Sequence, residues 1–66
     1  MFKYTVTVKA ETENAFWMIN LGEDGYTEFQ SFDADNNEIY TVYSERDIDT
    51  ALDQKANVLN YTVEEI

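Results

Sequence analysis

Apolar and polar positions alternate in two stretches of the chain. Tyr4, Val6 and Val8 alternate with Thr5, Thr7 and Lys9, and Tyr40 and Val42 alternate with Ile39, Thr41 and Tyr43. Period-two spacing of β-branched and aromatic residues predicts two strands, with Tyr4, Val6, Val8, Tyr40 and Val42 on the covered face. Similar runs from Tyr26 to Asp33 and from Val58 to Glu65 predict two more. Between the second and third strands, Ala34-Asp35-Asn36-Asn37 has the chemistry of a turn.

Two other stretches follow the helical period. From residue 45 to 56, Ile48, Ala51 and Leu52 share a face, Ser44 is placed as an N-cap with Asp47 three residues on, and Lys55 lies near the end. From Glu13 to Leu21, Thr12 is a candidate cap, Ala15, Phe16 and Ile19 form a stripe, and Gly22 stands where a helix takes its C′ residue. The same segment admits another reading, with Phe16-Trp17-Met18-Ile19 as a strand and Gly22-Glu23-Asp24-Gly25 as a hairpin loop, which makes a β-meander followed by one helix. Internal similarity favours the helix. Tyr4-Thr5-Val6 recurs as Tyr40-Thr41-Val42, Ala15-Phe16 recurs at the same offset as Ala51-Leu52, and Tyr26-Thr27 recurs one residue out of step as Tyr61-Thr62. One unit used twice gives βαββαβ, the ferredoxin-like sandwich: an α+β fold with a four-stranded antiparallel sheet, two helices on one face and the other face open.

Size and composition narrow the function classes. Sixty-six residues, 44% hydrophobic and with ten aromatics, suit a single domain spanning 1–66 with a small core. Cysteine and histidine are both absent, so the sequence offers no disulfide, no thiolate or imidazole metal site, and no histidine base. The longest apolar run, Ala15 to Ile19, is too short for a membrane span, which makes the cytoplasm the expected location. The net charge is −10, from 4 Lys and Arg against 14 Asp and Glu. That charge opposes direct binding to nucleic acid or anionic lipid and favours a basic protein surface.

Four constellations merit weighing. Asp33-x-Asp35-x-Asn37 imitates the start of a calcium loop, but Glu38 occupies the glycine position and Ser44 the position of the bidentate glutamate, so a hairpin turn is the better reading. The abundant carboxylates fall at loop and helix-surface positions, where neither member of a pair would hold a proton near neutral pH. Acylphosphatase-type chemistry would need a positioned arginine, whereas the single arginine, Arg46, sits between Glu45 and Asp47. Tyr4, Tyr40 and Tyr43 occupy the strands on which an RNA-recognition module displays its stacking aromatics, but four scattered cations supply no positive groove, and the alternation assigns Tyr4 and Tyr40 to the core. The expectation is a protein that is not an enzyme and needs no cofactor or metal.

Two surfaces remain as candidates for binding. Glu45, Asp49 and Asp53 recur every four residues on one side of the second predicted helix, about 6 Å apart along its axis, a scale close to the phosphate repeat of a nucleic-acid strand. Glu11, Glu13, Glu23 and Asp24 flank the first helix, and Asp33, Asp35 and Glu38 lie at one end of the sheet. Such a shell suits a basic, phosphate-binding cleft; it equally suits solubility. The second surface is the open sheet face around Thr5, Thr41 and Tyr43, half apolar and suited to a second copy of the chain as a homodimer.

The run Tyr4-Thr-Val-Thr-Val-Lys-Ala-Glu-Thr-Glu-Asn-Ala-Phe, with its looser echo from Tyr40 to Leu52, resembles the opening strand and helix of many small acidic phage-encoded proteins. These act in host takeover or counter-defence, some as DNA mimics. The resemblance implies an inhibitor that occupies the nucleic-acid-binding surface of a host protein in the host cytoplasm. It carries no catalytic or binding residue with it, and Phe16-Trp17-Met18 replaces the more charged helix of those proteins.

Overall fold

In a computed structural model, residues 1–19, 21 and 26–66 are described. The elements run β1 (Phe2–Val8), α1 (Asn14–Ile19), β2 (Tyr26–Phe32), β3 (Glu38–Ser44), α2 (Asp49–Asp53) and β4 (Val58–Glu65). This is an α+β fold: a four-stranded antiparallel sheet in the order β2-β3-β1-β4 with two short helices. The alternative strand over residues 16–19 is not adopted, because that stretch lies in α1.

The alternation reads correctly in the two central strands. Tyr4, Val6 and Val8 of β1 and Tyr40 and Val42 of β3 are buried, and they form one cluster with Met18 of α1, Leu52 of α2 and the adjoining Ile48. Register explains the shared face: Tyr4 lies opposite Val42 and Val6 opposite Tyr40, while Thr5 lies opposite Thr41 on the other face. The edge strands β2 and β4 are exposed along most of their length.

Both helices are shorter than the sequence predicts. The helix expected over 45–56 begins at Asp49, because side chains divert the backbone before it: Ser44 Oγ accepts the Arg46 N–H at 3.1 Å and Asp47 Oδ1 accepts the Asp49 N–H at 2.8 Å. Residues 45–48 therefore bend out of the helix, as Ser and Asp side chains promote when they compete for backbone donors. Ser44 ends β3, and Ile48 takes the N-cap position with no side-chain hydrogen bond.

The expected stripe on α1 is corrected at Ala15 and Phe16; the side chain of its third member, Ile19, lies outside what is described. Ala15 and Phe16 are exposed, Phe16 to 75%, whereas Asn14 and Met18 are buried and Trp17 packs against the core. Asn14 wins the inward position because its amide satisfies several buried partners at once. The Gly22 C′ position lies outside the described residues.

The 33–37 turn is a hairpin, as its composition predicts. Asp33 Oδ1 accepts the N–H groups of Asp35 and Asn37, each at 2.9 Å, and Asn36 adopts a positive φ of 64°. The backbone closes the turn through the Asp33 N–H to the Asn37 carbonyl and the Asn36 N–H to the Asp33 carbonyl.

Candidate interaction surface

Two polar knots fix the ends of the molecule and decide where its acids lie. Where β1 leaves the sheet, buried Asn14 donates from Nδ2 to the Lys9 carbonyl (2.9 Å) and to Glu38 Oε1, and its Oδ1 accepts from Trp17 Nε1 (3.2 Å) and Asn57 Nδ2. One amide thus ties the loops before α1 and β4 to the start of β3.

At the opposite end the knot is made of phenols and carboxylates. The Tyr4 hydroxyl accepts the Ile48 N–H at 3.0 Å and donates to Asp47 Oδ1 at 3.2 Å, holding the entry to α2 against β1. Nearby, the Tyr61 hydroxyl of β4 donates to Asp53 Oδ1 at 2.8 Å. Burial and the neighbouring Asp49 and Asp47 carboxylates push the Tyr4 phenol up. The Asp53 bond, followed by burial and the charges of Asp49, Asp53 and Asp47, pushes Tyr61 up to about 12. Asp47 is held below the usual carboxylate range, chiefly by the Asp49 N–H and also by Tyr4. Three carboxylates therefore crowd one side of α2, beside β4.

The acids expected to bind together are separated by this geometry. Asp49 and Asp53 do share α2, but Glu45 lies outside the helix, in the bend that follows Ser44. Ser44 pairs with Phe2 at the start of β1, whereas Glu11 and Glu13 follow the far end of that strand. With seven residues in β1 at about 3.3 Å each, the two groups stand about 20 Å apart along the sheet. Asp33, Asp35 and Glu38 belong to the Glu11 end, and Glu38 is partly drawn into the Asn14 knot. Glu23 and Asp24 lie outside the described residues.

The open face carries Thr5, Thr41 and Tyr43 together, as the alternation predicts. Thr41 is buried, and its hydroxyl donates to Gln30 Oε1 at 2.8 Å; Tyr43 stacks on exposed Tyr26 at 4.6 Å between ring centroids. Lys3 and Glu64, directly opposite on this face, form an ion pair at 3.7 Å.

Sequence reasoning missed Asp47 and Tyr61 as parts of the acidic side. The sequence predicts Asp47 as a capping partner of Ser44; instead its Oδ1 accepts from the Asp49 N–H and from Tyr4, forty-three residues away. Among the described residues no group of three or more acids is arranged to hold a metal ion. No described helix is long and apolar enough to cross a membrane. No protein family, no curated protein and no solved structure matches this chain.

Proposed function

We propose that this domain is an acidic, non-enzymatic binding module that docks on the basic, nucleic-acid-binding surface of another protein and blocks it. The observation that carries the reading is the crowding of Asp47, Asp49 and Asp53 beside β4, with Glu64 and Glu65 on that strand, in a chain of net charge −10. Asp47 and Asp53 are held by hydrogen bonds and so present charge at low entropic cost to a basic partner, and the summed field of the acids steers its approach. Inhibition of the DNA-mimic kind follows if the occupied surface is the one that holds phosphates. We also read the architecture as ferredoxin-like; the βαββαβ element order and the β2-β3-β1-β4 strand order support that assignment.

The test is affinity capture from host-cell lysate with the protein and with a triple variant, Glu45→Gln, Asp49→Asn and Asp53→Asn, which removes the charge and keeps side-chain size. Retention of basic partners that falls steeply with salt and drops in the variant supports the reading. Partners that stay bound to the variant at every salt concentration overturn this choice of residues.

The stacked Tyr26–Tyr43 pair favours a second reading, a homodimer through the open face around Thr5, Thr41 and Tyr43. Sedimentation separates the two: a dimer indifferent to salt supports the second.

A further inference from the structure

The strand ladders show which backbone groups of β4 remain unused. The Ile66 N–H donates to the Met1 carbonyl at 2.9 Å and the Met1 ammonium lies 3.4 Å from the Ile66 carbonyl, so Met1 and Ile66 face each other as a hydrogen-bonded pair. Hydrogen-bonded and non-hydrogen-bonded pairs alternate along an antiparallel ladder. From the register Lys3–Glu64, Thr5–Thr62 and Thr7–Asn60, the even-numbered residues of β4 spend their N–H and C=O groups on β1. Tyr61, Val63 and Glu65 therefore aim theirs away from the sheet, and β4 is the last strand on that side.

The two edges of the sheet differ. β2 has a register shift between Phe29 and Ser31 that leaves Gln30 as an extra residue, the kind of irregularity that discourages pairing. β4 runs in regular register from Asn60 to Glu65 and contains neither proline nor lysine. Its side chains also describe an occupant. Val63 is 46% exposed on the face it shares with Tyr61, Glu64 lies on the opposite face, and Glu65 and the Tyr61-bound Asp53 add charge on the Val63 side. Such an edge fits a strand with apolar side chains over Tyr61 and Val63 and basic ones beside Glu64.

We propose that β4 receives a basic, extended segment of the partner protein as an added strand, paired through the outward backbone groups of Tyr61, Val63 and Glu65. The proposal rests on the reading of a basic partner and specifies how that partner is held. Main-chain pairing supplies affinity without regard to sequence, and the acids around the edge select the sign of charge.

The test uses isotope-labelled full-length protein and a short blocked peptide alternating lysine with valine. The expected result is salt-sensitive binding that slows amide exchange at Tyr61, Val63 and Glu65, whose outward N–H groups the β1 ladder leaves unused. N-methylation of the peptide on its pairing edge should weaken binding by about tenfold or more, as loss of even one or two such bonds implies. Val63→Pro, which removes an outward donor while leaving the β1 ladder its bonds, should do the same; the N-methylated peptide tests the pairing even if that variant misfolds. If the peptide binds but N-methylation has no effect and the slowed amides lie on α2 or the open face, edge pairing is wrong while the basic-partner reading stands. Absence of binding even at low salt overturns both. Protection of the same amides by rising protein concentration alone, with a dimer in sedimentation, overturns the basic occupant in favour of a second copy.

Discussion

The two polar knots do the same mechanical work with different chemistry. At one end Asn14 joins Lys9, Trp17, Glu38 and Asn57 through an amide that neither gains nor loses a proton. At the other, Tyr4 joins β1 to the entry of α2 through a phenol and a carboxylate, with Tyr61 and Asp53 beside them. The Asn14 amide does not titrate, although Glu38, Tyr40 and Asp33 lie at its end of the sheet, and it is set apart from the end that carries the proposed binding acids. Charge on the α2 side consequently serves two purposes, and replacing Asp47 would confound them. Glu45 and Glu65, which are exposed, are cleaner probes of binding.

The largest expected effect comes from breaking the amide knot. Asn14→Ala leaves the Trp17 N–H, the Lys9 carbonyl and the Asn57 amide without their partner, at a cost of about 3 kcal/mol. For a chain of this length that is a large part of roughly 3–10 kcal/mol of total stability. Urea titration should show the loss, and the deficit should stay constant between mildly acidic and mildly alkaline pH. A deficit that varies with pH across that range would mean that the two ends are not independent.

Tyr4→Phe should cost less, about 1–2 kcal/mol, because the buried ring remains in place and only the hydroxyl goes. The Ile48 N–H then lacks its acceptor and Asp47 loses a donor. Thermal melts should register a fall of about 4–8 °C per kcal/mol for a domain of this size. If the variant melts with the parent protein, the phenol is not what holds α2 to the sheet.

These bonds mark the limit of what local sequence shows. The central strands were legible because alternation in Tyr4-Val6-Val8 and Tyr40-Val42 reports burial directly, and the 33–37 turn because Asp and Asn satisfy their own backbone. The helix ends were not. Ser44 and Asp47 have the residue types of a capping box, yet each captures a nearer N–H, and the partner that favours this arrangement, Tyr4, lies on another strand. On α1 an asparagine outcompeted Ala15 and Phe16 for the inward face, a choice set by Glu38 at the start of β3 and Asn57 in the loop before β4. The acidic site suffered for the same reason: even spacing of Glu45, Asp49 and Asp53 is a surface stripe only if one helix contains all three.

Acid should act through depressed carboxylates at both ends of the sheet, and alkali through the raised phenols. Asp47 and, in the hairpin, Asp33 are held below the ordinary carboxylate range by backbone N–H groups, of Asp49 and Asn37 respectively. A depressed carboxylate contributes stability that is complete above its unfolded-state pKa, near 4, and is lost as pH falls through the lower folded-state value. Stability measured by urea titration should therefore decline below about pH 4. In Tyr4→Phe the decline should be shallower, since one of the bonds depressing Asp47 is gone. An identical acid profile in the two proteins would remove Tyr4 from the account of Asp47.

The smallest effect expected is that of Tyr61→Phe, which separates the exposed part of the same end from its buried part. Tyr61 is raised to about 12 from an ordinary value of 10.0, so its contribution is complete below pH 10 and is lost as pH rises through the folded-state value. The bond to Asp53 is solvent-exposed, and its removal at neutral pH should change the melting midpoint less than Tyr4→Phe does. The alkaline decline should shrink in the variant without vanishing, because the Tyr4, Tyr26 and Tyr40 phenols are also raised and remain. Should the decline vanish altogether, Tyr61 would be the sole alkaline-sensitive contact, and the bonds of Tyr4 to Asp47 and Ile48 and of Tyr40 to Glu38 would not depend on phenol ionisation.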